Sequence, residues 1–348
     1  EGEVEREKLD MLRGLERLFT DRENQQSARF ASEYMSHFLV GEPIPGIEFE
    51  YRVAQALAPG ITLDEVNAVA RANLDPRNRV ILVSGIEKAG VEMPSESDLR
   101  GIFATVAAAD IAAWVDTALD QPLVAALPEP GAVVGEVRIA GLDITIWKLS
   151  NGASVWLKPT DFRDDEIAFR ATSPGGWSNS SAADHQSATM AADVVQQGGA
   201  GDFSRIDLQK ALAGKAASVS PSIGETTEGL RGQASPKDIE TLFQLTWLYF
   251  TAPRQDTTAF QALISQGKAL LENRGASPVI AFIDTFAVTM AQGHPRARPM
   301  SPATLDEIDL GRAVDFYRDR FADASDFTFV FVGAIDTDAM RPLVEQYL

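Results

Sequence analysis

The chain has 348 residues, 45% of them hydrophobic and 23% charged, the make-up of a folded protein of two or three domains. Thirty-one basic residues against fifty acidic ones give a net charge of −19. That field repels phosphate backbones and anionic bilayers, which argues against nucleic-acid and membrane partners. There is no cysteine, so disulfides, thiolate metal sites and cysteine nucleophiles are excluded.

The chain opens at Glu1 inside a charged helical pattern and closes at Leu348 in another. Both ends read as cuts in a longer protein. Residues 4–22 are expected to form an amphipathic helix, with Val4, Met11, Leu12, Leu15, Leu18 and Phe19 on one stripe. A second helix is expected near 24–39, up to the Pro/Gly-rich turn Gly41–Gly46. Thr62 and Glu65 stand in capping-box spacing at the head of a helix ending near Asp75. Val80–Ser84 reads as a short buried strand. The pattern recurs at Thr304 and Glu307, followed by a helix to about Ala322 and a strand from Phe327 to Val332. The spacing of 242 residues between the two threonines points to duplicated modules.

Between the copies, a helix is expected to start at Ser95–Asp98 and reach Leu119, with an exposed linker from Pro122 to Gly131. Strands then follow at Val133–Ile139, Ile144–Leu149, Ala153–Leu157 and Ile167–Ser173. Asn151-Gly152 predicts a type I′ hairpin. A helix near 184–197 leads to Gly198–Gly201, and a short helix at 204–213 precedes strands near 215–222 and 226–234. Helices are expected at 236–250, 257–273, 277–291 and 304–322, then a final strand and a helix at 336–347. This is no strict βαβ alternation. It predicts an α+β fold, a mainly antiparallel sheet with helices on one face, built on a duplicated module.

Chemistry is sparse. His37, His185 and His294 are too far apart for H-x-x-E-H or H-E-x-x-H, and surface or capping roles suit them better. Gly198–Gly201 follows a helix and fails the dinucleotide fingerprint; it reads as a flexible loop with a cap at Asp202 or Ser204, or as a mobile loop touching substrate. Asp161, Asp164, Asp165 and Glu166 read as a solvated turn, and Asp184, Glu225 and Glu228 as surface charge. Trp147, Trp156, Trp177 and Trp247 read mostly as core. Spacing nominates no catalytic, cofactor-binding or metal residue.

Leu149–Phe162, Asp165–Ala171 and Ser173–Gly176 resemble the opening of a pitrilysin/insulinase-type module, and Phe316-Tyr317 with Phe327–Asp336 resemble its close. The resemblance is strongest to long, four-module bacterial zinc proteases, many of them periplasmic. It implies three parts: 1–90, the helix-rich C-terminal half of a preceding module; 91–132, a connector; and 133–348, a complete non-catalytic module. The family's zinc helix, H-x-x-E-H, would fall at Thr189–Asp193, where threonine, alanine and aspartate replace the two histidines and the glutamate. Glu272 aligns loosely with the third ligand. The resemblance therefore implies zinc in the parent protein and none in this segment, which would act as part of a peptide-enclosing chamber wall. Peptide or unfolded protein and the parent's other modules are the implied partners, and the acidic balance favours basic or neutral peptides. The alternative is a stand-alone interaction module of the same fold; an enzyme with an unrecognised site is a third reading. Residues 1–88 offer one convincing strand, whose unpaired backbone predicts self-association.

Overall fold

The computed structural model describes residues 1–73, 79–85, 90, 92–112, 114–117, 121–272 and 274–348. Helix α1 (Gly2–Thr20) is followed by α2 (Ser27–Val40), α3 (Ile47–Leu57) and α4 (Leu63–Asn73). The sequence pattern passed over α3, whose apolar residues follow a Pro/Gly-rich turn. Thr62 and Glu65 close the expected capping box, with Thr62 N donating to Glu65 Oε2 at 2.8 Å and Glu65 N to Thr62 Oγ1 at 3.3 Å. The expected end of this helix, at Asp75-Pro76, lies outside the described residues.

Val80–Ser84 is not a strand. No described segment pairs with it, and Val80 and Leu82 are 91% and 90% exposed. An apolar run forms a strand only where a neighbour accepts its backbone hydrogen bonds. Helix α5 (Glu96–Ala108) starts at a Ser95–Asp98 capping box and ends well before Leu119, itself outside the described residues.

Among the described residues, seven strands form one sheet: β1 (Val133–Ile139), β2 (Ile144–Leu149), β3 (Ser154–Pro159), β4 (Ile167–Pro174), β5 (Ala217–Ile223), β6 (Thr227–Ala234) and β7 (Thr328–Gly333). Their order is β1-β2-β3-β7-β4-β6-β5. Only β3 and β7 run parallel; every other neighbouring pair is antiparallel. The hairpin between β2 and β3 differs from the expected type I′. Gly152 has φ +97°, but Asn151 does not share the positive φ that type I′ demands. Gly152 N donates to Leu149 O and Leu149 N to Ala153 O, both at 3.0 Å, the pattern of a three-residue loop with a glycine bulge.

The fold is α+β, with the helices on one face of a mainly antiparallel sheet. After β4 come α6 (His185–Thr189), α7 (Ala191–Gly198) and α8 (Arg205–Ala211). After β6 come α9 (Ile239–Thr251), α10 (Thr257–Leu271), α11 (Pro278–Met290), α12 (Pro302–Leu305) and α13 (Leu310–Arg320), and α14 (Thr337–Tyr347) follows β7. Alternate strand residues, among them Leu157, Phe169, Leu230 and Phe331, meet Phe243 of α9 and Val344 of α14 in one core. The Phe331 ring lies 4.9 Å from Phe169 and 5.2 Å from Phe243. Tyr317, fully buried, donates its hydroxyl to Tyr249 O at 3.1 Å.

The expected single helix over 304–322 is two. Ser301, not Thr304, caps α12, with Thr304 as the third helical residue of that box. Asp309 then caps α13 by accepting from Arg312 N at 2.9 Å. Asp309 lies 247 residues after Thr62, and Thr328 lies 248 after Val80. The cap that heads α13 thus stands five residues beyond the Thr-Leu-Asp-Glu echo at 304.

Candidate functional site

The zinc-motif positions stand where the expected helix breaks. Met190 (φ −103°, ψ 1°) separates α6 from α7. Thr189 ends α6, and its Oγ1 donates to Gln186 O at 2.9 Å. Ala192, on the buried side of α7, is 8% exposed. Asp193 is exposed at its outer edge, yet its surroundings push the carboxyl above the usual range, with Arg231 pulling the other way. A hydroxyl already spent on its own helix, a methyl and one carboxylate are not the donor set zinc requires. Glu272 sits at the C-cap of α10. Among the described residues, no group of three or more His, Asp and Glu side chains could hold a metal ion.

α7 lies against β5, with Gln196 Nε2 donating to Ser220 Oγ at 3.0 Å. α7 thus borders an edge strand, beside the sheet face that no described helix covers. That face carries Trp156, 37% exposed, where the sequence suggested core.

The histidines do separate jobs. His37 Nδ1 lies 2.7 Å from Glu42 O at the surface, and His294 accepts from Arg296 N at 3.2 Å. His185 is neither surface nor cap; it is buried, with Trp177 edge-on at 5.3 Å. Burial and the nearby Arg296 keep its pKa below the usual value.

The loop at Gly198–Gly201 is packed, not open. Gly199 has φ +95°, and a Cβ there would fall 2.2 Å from Phe203 O. A Cβ on Gly198 would fall 2.5 Å from Arg254 O. These glycines allow backbone to approach backbone. Ser204 supplies the cap for α8, accepting from Asp207 N at 3.2 Å.

Two carboxylates read as solvated are buried. Glu228, 4% exposed, accepts from Gly176 N, and burial pushes its carboxyl up. Asp165, 6% exposed, meets Arg17 at 3.3 Å and Arg13 at 3.6 Å. Burial outweighs both arginines, so its pKa is also raised. These arginines belong to α1, which docks on the sheet module through charge. Arg13 donates to Asp238 and Glu16; Asp238 also accepts from Ala216 N at 2.8 Å and Ser235 Oγ at 2.9 Å. Asp116 of the connector accepts from Arg6 of α1 at 2.8 Å and Lys210 of α8 at 3.1 Å. The contacts of Arg13 with Asp165 and Asp238, and of Asp116 with Arg6 and Lys210, span about a hundred residues or more and leave no local signal in the sequence.

Fold and sequence together resemble those of zinc peptidases of the pitrilysin/insulinase type and support reading this chain as a fragment of one. The relatives that carry this are zinc proteases of the PqqL kind. A zinc protease PQQL-like protein of Arabidopsis thaliana is 25% identical over 345 residues, 97% of this chain and 33% of its own length. The probable zinc protease PqqL of Haemophilus influenzae is 21% identical over 206 residues, 59% of this chain and 22% of its own. Among solved structures, the periplasmic protease PqqL of Escherichia coli superposes with a TM-score of 0.59 at 18% identity, over 98% of this chain and 38% of that one. A peptidase M16 inactive domain from Pseudomonas fluorescens superposes at 0.50 and 14% identity, over 59% and 50%. The chain thus spans about a third or less of the length of the curated relatives it matches. No family model matches it.

Proposed function

We propose that this chain is a non-catalytic portion of a zinc-dependent endopeptidase and forms part of the wall of a chamber that encloses peptide. The observation that carries this reading is the content of the motif positions. Thr189, Ala192 and Asp193 offer no ligand set, and Ala192 puts a methyl where the base would stand, on a fold whose relatives are zinc proteases. Zinc would belong to another part of the parent, where it polarises water for attack on a peptide bond. This segment's contribution would be to hold chain. β5 is an edge strand, and an extended peptide laid beside it would gain backbone hydrogen bonds largely independent of side chain.

The proposal divides the chain at 1–90, 91–132 and 133–348, with the last a whole module and the first the end of another. It places the parent in the periplasm, by analogy with the Escherichia coli protease. Among the described residues no helix is long and apolar enough to cross a membrane. The partners would be peptide or unfolded protein and the parent's other modules. A crystal structure of the ferredoxin protease FusC in complex with Arabidopsis ferredoxin, TM-score 0.59 at 17% identity, is a precedent for a protein substrate in this fold.

The test is elemental analysis of the purified chain together with a peptide-cleavage assay. Less than stoichiometric zinc and no turnover are expected; tight zinc with turnover overturns the reading. The rival is a stand-alone interaction module. Sequencing the gene upstream of Glu1 separates them, because H-x-x-E-H with a later glutamate selects the endopeptidase.

A further inference from the structure

The uncovered face of the sheet has a charge pattern opposite to that of the protein. From β2 to β5 its outward positions include Lys148, Lys158, Arg170 and Arg231 and no Asp or Glu. In a chain of net charge −19, an acid-free cationic face is a local reversal. Lys158 is partly answered, since Asp143, Asp161 and Asp164 share its end of the sheet. The arginines are not. Arg170 and Arg231 face each other directly across β4 and β6. Both are exposed, and among the described residues neither side chain makes a hydrogen bond or an ion pair.

Like charges directly opposite on a sheet destabilise it. A fold that keeps them so, next to an otherwise ordinary strand pair, holds a positive potential ready for an anion. A cavity of about 280 Å³ opens beside them, with Thr172, Ser222 and Gly229 in its lining. Glu228 also borders it, but its carboxylate turns to the other side of β6 and accepts from Gly176 N. Asp193 of α7 stands close enough to Arg231 to feel its field without forming an ion pair.

We infer that the paired guanidinium groups of Arg170 and Arg231, with the hydroxyls of Thr172 and Ser222, form a binding site for a peptide carboxylate on the uncovered face of the sheet. Guanidinium matches carboxylate in a two-pronged geometry, and the hydroxyls can donate to the remaining lone pairs. The volume suits one side chain or a chain end, not a folded partner. On the same face Trp156 and Val330 lie in the cross-strand row that contains both arginines, so apolar contact continues away from the charge. The preferred segment is acidic and partly apolar. At this face that reverses the expectation from net charge, which favours basic or neutral peptides. The choice of peptide as the ligand rests on the chamber-wall reading; the anion site itself does not.

The experiment measures fluorescence anisotropy of labelled Gly/Ser/Ala peptides on the intact chain, in three forms. One carries a central Glu and an amidated end, one a central Gln and a free end, one a central Gln and an amidated end. The expected result is binding about tenfold tighter for at least one carboxylate form than for the neutral peptide, falling with added salt. The better form tells side chain from C-terminus. Arg170→Gln and Arg231→Gln are each expected to abolish the preference, with Arg170→Lys retaining part of it. Each Gln variant should also melt about 1 °C higher, because it relieves the repulsion; a residue with a merely structural role would melt lower. Equal binding of all three peptides, or a preference that survives both variants, overturns the site and leaves the chamber wall standing. If no peptide binds, the chamber wall falls, and the site is decided by succinate: stabilisation of the chain that both Gln variants lose upholds it, and no stabilisation overturns it.

Discussion

Arg13 donates from Nε and Nη2 to a single carboxylate oxygen of Asp238, at 3.2 and 3.0 Å, across 225 residues of chain. Burial works against the Arg13 charge, but Asp165, Glu16 and Asp238 together hold it charged. The pair fastens α1 to the start of α9. Removing Arg13 leaves the Asp238 carboxylate without its cation in a buried place, and removing Asp238 leaves Arg13 with Glu16 and Asp165 alone. Arg13→Met is expected to lower unfolding free energy by about 3 kcal/mol in denaturant titrations. Asp238→Ala should cost at least as much, because Ala216 N and Ser235 lose their acceptor too. A double variant well short of the sum would show that the two side chains act as a unit.

The same attachment is sensitive to acid. Arg6 and Lys210 lower the Asp116 carboxyl to about 2, and Lys237 and Arg13 hold Glu16 below its usual range although burial opposes them. Carboxylates with depressed values stabilise the folded state above the ordinary carboxylate range and lose that contribution as they protonate. Hydrogen-exchange protection of α1, taken relative to the intrinsic exchange rate at each pH, should therefore fall between about pH 4 and pH 2 before that of the sheet amides follows. Asp116→Asn should make α1 exchange faster already at neutral pH and flatten its acid response.

Glu228 behaves with the opposite sign. Its buried carboxyl has a raised value, so its ionisation disfavours the fold, and the stability it allows at low pH is lost as pH rises through its folded value. Glu228→Gln keeps an oxygen for Gly176 N and removes the charge. The variant should match the parent in acid and melt higher at neutral pH. Gly176 beside it has φ +79° and no room, since a Cβ would fall 2.5 Å from Gly224 O and Glu225 O. Gly176→Ala should cost about 2 kcal/mol or more, read as a lowered denaturation midpoint.

Phe331 tests the core. It is fully buried and touches the Phe169 and Phe243 rings, joining the centre of the sheet to α9. Phe331→Ala is expected to remove about 4 kcal/mol. A loss under about 1 kcal/mol would mean that the site collapses around the deletion.

Where the sequence was legible, the signal was local. Alternation gave β4 its span within a residue, and the Thr62–Glu65 spacing gave the cap of α4. The motif positions could be read because three side chains in five residues decide whether zinc can be held. What was not legible depends on partners far along the chain. Val80–Ser84 has a strand's composition and no described strand to pair with. Asp165 and Glu228 look like surface charge until Arg17, Arg13 and Gly176 arrive beside them. The Arg170–Arg231 pair exists only through the register of β4 on β6.

The first part of the chain should associate. Phe38, Val40, Val80, Leu82 and Trp114 are all at least 74% exposed, a concentration of apolar surface that a stable monomer seldom presents. Val80–Ser84 adds apolar side chains on a backbone with no described strand beside it, which invites pairing with another chain. Light scattering should give a mass that rises with concentration through the micromolar range. Leu82→Lys places a charge in the segment best able to pair, and Phe38→Asp places one on α2. If strand pairing drives association, the first should restore the single-chain mass and the second should not. If apolar contact alone drives it, both should weaken it to similar extents. A single-chain mass for the parent at every concentration would show that this surface is satisfied within one molecule.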